Sequence, residues 1–290
     1  MARFVEVAKN RGVDSWKPGQ EWMMVPQGGS NLICLEDGKD YSVQERKGKS
    51  KLTWKELKPS EALSAIGKDY GSLKSGSRVF QLTGKPKVDR ETWFEATKGK
   101  DTASIHVVIH DRLDLKVAFF FVQDKGAKGP RSKYGLDAVD GWIDRLNNIY
   151  GLQANIWFSK ASADLLPLEG LGELFGGDKD IDQIKGKKAS GNVISVFLGG
   201  EKIVNREKDY PLGFFDETNE VIVVRDQAES KNTLKTIAHE IAHHRYYKRN
   251  LKGDPHQGFK TNGYKNDIFN TMDGDDVKIP MQRVQDMNPV

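Results

Sequence analysis

The sequence predicts a two-part α/β (α+β) chain: a small β-rich domain over residues 1–100, followed over 104–290 by a domain with a mixed sheet and one long helix that carries the chemistry. Three observations predict it. Up to about residue 100, short β-prone segments alternate with turns containing Gly and Pro. Beyond that point the elements lengthen and follow the order strand, helix, several strands, helix. The 290 residues include 37% hydrophobic and 30% charged residues and 29 glycines, which supplies a sizeable core and many turns without a long stretch of disorder-type composition.

In the first part, β-type runs at 21–26, 31–35, 40–44 and 78–82 are punctuated by Gly28-Gly29, Asp37-Gly38 and Gly84-Lys85-Pro86. Lys58-Pro59-Ser60 opens a short helix, because Pro is tolerated at a first helical position, and Trp93-Phe94 closes the domain. Gly48-Lys49-Ser50 has the tail of a phosphate loop, but Val43 stands where that loop needs its first Gly, so a surface turn is expected.

In the second part, 105–109 and 117–122 are strands, the latter apolar throughout and therefore expected inside a covered sheet. Leu136, Val139, Ile143, Leu146 and Tyr150 recur at helical spacing and end at Gly151, a natural C-terminal cap. Strands follow at 155–159, 193–198, 213–215 and 221–224. The Gly- and Lys-rich stretch 165–188 reads as a surface loop. Within it Asp178, Asp180 and Asp182 alternate as in a calcium loop, yet Gln183 and Ala189 occupy the positions of its required Gly and Glu, so a solvated acidic turn is expected.

Charge and cysteine content narrow the function classes. Lys and Arg number 45 against 41 Asp and Glu, and apart from 47–51 and 185–188 they are scattered, which favours a solvated surface over a nucleic-acid footprint. No apolar run reaches the length of a membrane span. The stretch from Met1 to Glu6 lacks the apolar region of a secretory signal, so synthesis in the cytoplasm is expected, with any export by a leaderless route. Cys34 is the one cysteine, which permits no internal disulfide, fits a reducing compartment, and leaves any zinc site to His, Asp and Glu.

The chemistry concentrates at His239-Glu240-Ile241-Ala242-His243. On a helix of 3.6 residues per turn, positions 239 and 243 lie one above the other, so both imidazoles reach one metal ion while Glu240 flanks it. A zinc ion held by two helical histidines, with a water in an open position and a carboxylate close enough to take its proton, is a peptide-hydrolysing arrangement. Leu234, Ile237, Ala238, Ile241 and Ala242 give the helix its apolar face, and Ser230 or Asn232 can cap it. A third protein ligand is needed, and no Glu follows Glu240 in the chain. The candidates are His244, His256, Asp254, Asp267 and the Asp273 to Asp276 cluster; His256, in Gly253-Asp254-Pro255-His256, is preferred, with Asp254 and Asp267 as the leading carboxylate alternatives, while His244 points roughly 100° away from His243. His106 and His110 alternate on an earlier strand and are assigned a core or surface role.

With Phe269-Asn270-Thr271-Met272-Asp273-Gly274 and the short helical stretch from Gln282 to Met287 added, the C-terminal 175 or so residues resemble a metzincin, a zincin-like zinc peptidase with three histidine ligands and a methionine turn. The resemblance implies Zn2+ on His239, His243 and His256, Glu240 as general base, Met272 as the turn methionine, and a protein or peptide substrate. The family places its Gly and third His where Tyr246 and Arg249 stand; here Gly-x-x-His comes seven residues later, an insertion of the kind the leishmanolysin-like branch tolerates. The first domain would then serve targeting, docking or delivery. The alternative is a component of a delivery machine, such as a phage tail or secretion apparatus, or an exported toxin, carrying a peptidase-like domain.

Overall fold

The computed structural model describes residues 2–7, 13–14, 21–46, 51–67, 73–86, 91–126, 129–171, 174–205, 209, 211–249 and 287. They form two compact units. The first gathers the described residues of Met1–Leu113 and Tyr150–Ile156 with Met287, and the second those of Asp114–Ile149 and Trp157–Val277.

The first unit contains β1 (Arg3–Val5), β2 (Val13–Asp14), β3 (Trp22–Pro26), β4 (Ser30–Glu36), β5 (Ser42–Glu45), β6 (Leu52–Leu57), α1 (Pro59–Ile66), β7 (Arg78–Gly84), β8 (Glu91–Lys98) and β9 (Asp101–His110). One sheet has the order β1-β4-β7-β6 and the other β2-β3-β9-β8-β5. Alternation along β4 shows how they pack. Ile33 and Leu35 join Met23, Phe80, Phe94, Ile105 and Val107 in a core shared by both sheets, while Leu32 and Cys34 turn the other way and pack under Ala62 and Ile66 of α1. The expected helix at Pro59 is present, and the Glu61 carboxylate accepts the Lys58 N–H at 2.9 Å, which satisfies a helix-start donor. Cys34 is fully buried, and that burial pushes its thiol up to about 11. The segment 47–50, with Gly48-Lys49-Ser50, lies outside the described residues.

Strand β9 belongs to this unit: it runs parallel to β3 and antiparallel to β8. Its register places His106 opposite Trp93, and the two rings stack at 4.8 Å. His106 also approaches Glu91 at 3.3 Å, while His110 is fully buried.

The second unit is a mixed sheet of order β11-β10-β12-β14-β13, formed by β10 (Leu113–Asp124), β11 (Ile156–Leu168), β12 (Val193–Leu198), β13 (Gly213–Asp216) and β14 (Val221–Val224). Strands β10, β12 and β14 are mutually parallel and β13 is an antiparallel edge. Both faces are covered, as parallel strands require. Phe119 and Phe121 pack against Trp142 of α2 (Ala138–Ala154). The alternate residues Ala118, Phe120, Val122, Phe197, Val221 and Val223 pack instead around Ile181 and Ile184 of α3 (Asp178–Lys185). Helix α4 (Ser230–Lys248) contacts β13 and β14, and Ser230 Oγ accepts the Trp142 indole N–H at 2.8 Å. Among the described residues no helix is long and apolar enough to cross a membrane.

Several expectations need correction. The stretch 165–188 is no surface loop: β11 extends to Leu168, and α3 buries Ile181 and Ile184, three residues apart and hence on one helical face. The acidic residues there lie on a helix and not in a turn: Asp178 and Asp182 are exposed as expected, but Asp180 is not. Asp180 is buried in the first turn of α3 and accepts the Gly176 N–H at 2.9 Å; burial raises its carboxyl, against the pull of the Gly176 and Gly177 N–H groups. Helix α2 begins after Leu136, which is exposed, and runs past Gly151 to Ala154. The left-handed residue that ends it is Asn155 at φ 50°, whose side chain is secured by the His110 carbonyl at 2.9 Å. Helix α4 is preceded by Glu229 and has no side-chain cap, because Ser230 is already helical and Asn232 lies further in.

Candidate metal centre

Helix α4 is set in place from its N-terminal side. Strand β14 delivers the chain to a short connection, residues 225–229, whose Asp226 is buried. Its carboxylate accepts the Ser132 hydroxyl at 3.1 Å and the Lys133 N–H at 2.5 Å, and its own N–H donates to the Gly200 carbonyl at 2.7 Å. Burial raises the Asp226 carboxyl, and those donors oppose the rise. Gln227 then donates through Nε2 to Thr236 Oγ1 at 2.7 Å and to the Asn232 carbonyl at 3.0 Å, tying the connection to the first turns of the helix.

Along α4, Leu234, Ile237, Ala238, Ile241 and Ala242 are buried and fix the helix's rotation. That rotation leaves His239 and His243 half-buried, one turn apart. Their rings meet edge to face at 4.8 Å, and their Nε2 atoms converge to 3.1 Å. Two nitrogens at the usual distance from a tetrahedral zinc lie about 3.3 Å apart, so this pair fits one such ion. Without a metal, the same spacing is a hydrogen bond between the two rings.

Glu240 and His244 are likewise one turn apart and occupy the neighbouring stripe, which faces β13. Glu240 is 5% exposed and its carboxylate accepts the Phe215 backbone N–H. Burial pushes this carboxyl up to about 8, only partly opposed by that donor. His244 is 6% exposed and stacks edge to face on the Phe215 ring at 5.3 Å. Burial, with Arg245 and Lys248 nearby, lowers its imidazole to about 4, so it is neutral at ordinary pH; its Nδ1 has no hydrogen-bond partner among the described residues. Behind it, Lys248 pairs with Glu220 at 2.6 Å.

The structure therefore brings His239 and His243 together and seats Glu240 beside them in the chain. His256, Asp254 and Asp267, Met272, Asp273 to Asp276 and Gln282 to Asp286 lie outside the described residues; Met287 is described, helical and buried. Among the described residues no three His, Cys, Asp or Glu side chains gather into a metal-holding group. Sequence reasoning missed the part of Asp226 in fixing the helix start and the close approach of Gly213 to Glu240. A glycine opening an otherwise apolar strand is the signal for the second; nothing local marks the first.

The sequence matches no family model and no curated protein. Among solved structures it is similar to a zinc-dependent peptidase from Methanocorpusculum labreanum, at 12% identity over 60% of this chain and 100% of that one, with a TM-score of 0.38. It is similar also to an archaemetzincin from Methanopyrus kandleri, at 13% identity over 61% of this chain and 88% of that one, with a TM-score of 0.34. A third similarity is to an S-layer protein, at 8% identity and a TM-score of 0.21, covering 30% of this chain; the chain spans about a tenth of that protein's length, 11%. All three likenesses are distant.

Proposed function

We propose that this chain is a zinc-dependent endopeptidase in which His239, His243 and His256 hold the metal and Glu240 is the general base. The observation that carries the reading is the convergence of the two Nε2 atoms to 3.1 Å on a helix whose next residue is a buried carboxylate. When bound, zinc supplies a Lewis acid for the scissile carbonyl and lowers the pKa of a water. Glu240 takes a proton from the attacking water and delivers it to the leaving amine nitrogen. Burial alone favours the protonated form of Glu240; the charge of a bound zinc ion would favour the ionised form that a base needs.

The substrate is a protein or peptide segment bound in extended form along β13, since an edge strand offers backbone groups to an added strand. Met272 would form the turn below the metal, and the N-terminal unit would serve targeting, docking or delivery. The test pairs metal content with hydrolysis of casein or a peptide library. Glu240→Gln keeps its zinc and loses turnover by several orders of magnitude, because it removes the base and no ligand; turnover near the wild-type level in that variant contradicts the mechanism.

A further inference from the structure

The backbone of β13 presents alternate groups to its two sides. The Arg225 N–H donates to the Leu212 carbonyl at 3.0 Å, so Leu212 faces β14, and with the register of Phe214 on Val223 and Asp216 on Val221 those two residues face it as well. Gly213 and Phe215 are the residues whose N–H and C=O groups point away, toward the open edge. The Phe215 N–H is directed at the Glu240 carboxylate and donates to it.

Gly213 explains how Glu240 reaches that donor. A Cβ at this position would lie 2.6 Å from Thr236 Cγ2, 3.1 Å from Glu240 Cγ and 3.2 Å from Glu240 Oε1. Gly213 is not among the residues of positive φ, so space and not backbone conformation is what calls for glycine. The Glu240 Cγ and Oε1 therefore lie against the space that a Cβ at this position of the edge strand would fill. Thr236, one turn earlier on α4, forms the other wall of this space.

Resting on the peptidase reading, we propose that Gly213 and the Phe215 backbone N–H form a seat that positions Glu240 for proton transfer, with Gly213 a positioning residue of the reaction. A carboxylate free to choose among rotamers would present its oxygen to the water only part of the time. Held by one backbone donor and walled by Thr236 and the β13 backbone, it keeps one orientation.

The test has an arm that does not depend on activity. Amide exchange at Phe215, followed by NMR on the full chain, reads the seat directly, since on an open edge its protection comes from Glu240. Glu240→Ala removes the acceptor and speeds exchange there by about tenfold or more, whereas Glu240→Gln, which retains a side-chain oxygen, keeps it within about threefold of wild type. Equal exchange in wild type and Glu240→Ala overturns the seat. In the activity arm, Gly213→Ala lowers kcat by about tenfold or more while KM and bound zinc stay near wild type, the signature of a displaced base. Thr236→Ser added to Gly213→Ala clears the 2.6 Å contact and leaves the crowding on Glu240 alone, so the double variant keeps the low kcat even where the single one folds poorly. Wild-type kcat in a folded Gly213→Ala or double variant overturns the positioning role. A wild-type chain that hydrolyses no peptide while Phe215 exchange responds to Glu240→Ala contradicts the peptidase reading and leaves the seat standing.

Discussion

Glu240 makes the metal-free protein lose stability as pH rises from 4.5 to about 8. Its carboxyl is pushed from an ordinary value of 4.5 to about 8, chiefly by burial. Between those values the folded chain holds a proton that the unfolded chain has released. Stability that depends on this proton is fully present below 4.5 and is lost as pH climbs through about 8. His244 acts in the opposite sense: its imidazole is held at about 4 against an ordinary 6.5, so it adds stability as pH rises through that interval and nothing more above it. The two slopes oppose each other from 4.5 to 6.5, and of this pair Glu240 alone acts from 6.5 to 8. That window of 8 − 6.5, or 1.5 pH units, is worth about 2 kcal/mol at 1.36 kcal/mol per unit. Urea unfolding in the presence of a chelator, at both ends of the window, measures it. Wild type loses about 2 kcal/mol more than Glu240→Gln on going from the lower to the higher pH. An equal fall in both proteins would refute the assignment of a buried, protonated Glu240.

Other perturbations probe the supports of the site. Asp226→Ala leaves the Ser132 hydroxyl and the Lys133 N–H without their acceptor and should lower stability by about 2–3 kcal/mol in thermal or urea unfolding; a change near zero would show that the connection is not pinned there. Ile184→Ala removes a fully buried side chain of α3 and should cost about 2–5 kcal/mol, whereas a residue on a surface loop would cost almost nothing. Cys34, buried and with its thiol raised to about 11, should resist alkylation at pH 8 until urea is added, and Cys34→Ser should leave peptide turnover largely unchanged. Rapid labelling of the native chain, or strong activation by the serine variant, would contradict its burial as inert packing.

Where local pattern decides the element, the sequence shows it. The apolar runs of β10, β12 and β14 and the amphipathic spacing of α4 state their periods without help from the rest of the chain. Membership of a sheet is different, because β9 is claimed by β3, some eighty residues earlier, and no local feature encodes that pairing. Helix α3 was hidden by its Gly- and Lys-rich surroundings, although Ile181 and Ile184 carried the three-residue spacing that buries them. The end of α2 went to Asn155 because asparagine also tolerates the left-handed region, so Gly151 could remain helical. At the site, the pairing of His239 with His243 follows from helix geometry alone. The seat of Glu240 depends on which strand lies beside α4, a tertiary fact, and only the bare position Gly213 hinted at the close approach.

Zinc content of the full chain and its histidine variants, measured by elemental analysis after dialysis, tests the metal centre most directly. Wild type should retain equimolar zinc, and His239→Ala, His243→Ala and His256→Ala should each lose it, while His244→Ala and His106→Ala, whose rings are engaged with Phe215 and Trp93, should keep it. A wild-type chain that retains no zinc, or retention of full zinc by both His239→Ala and His243→Ala, would contradict the account.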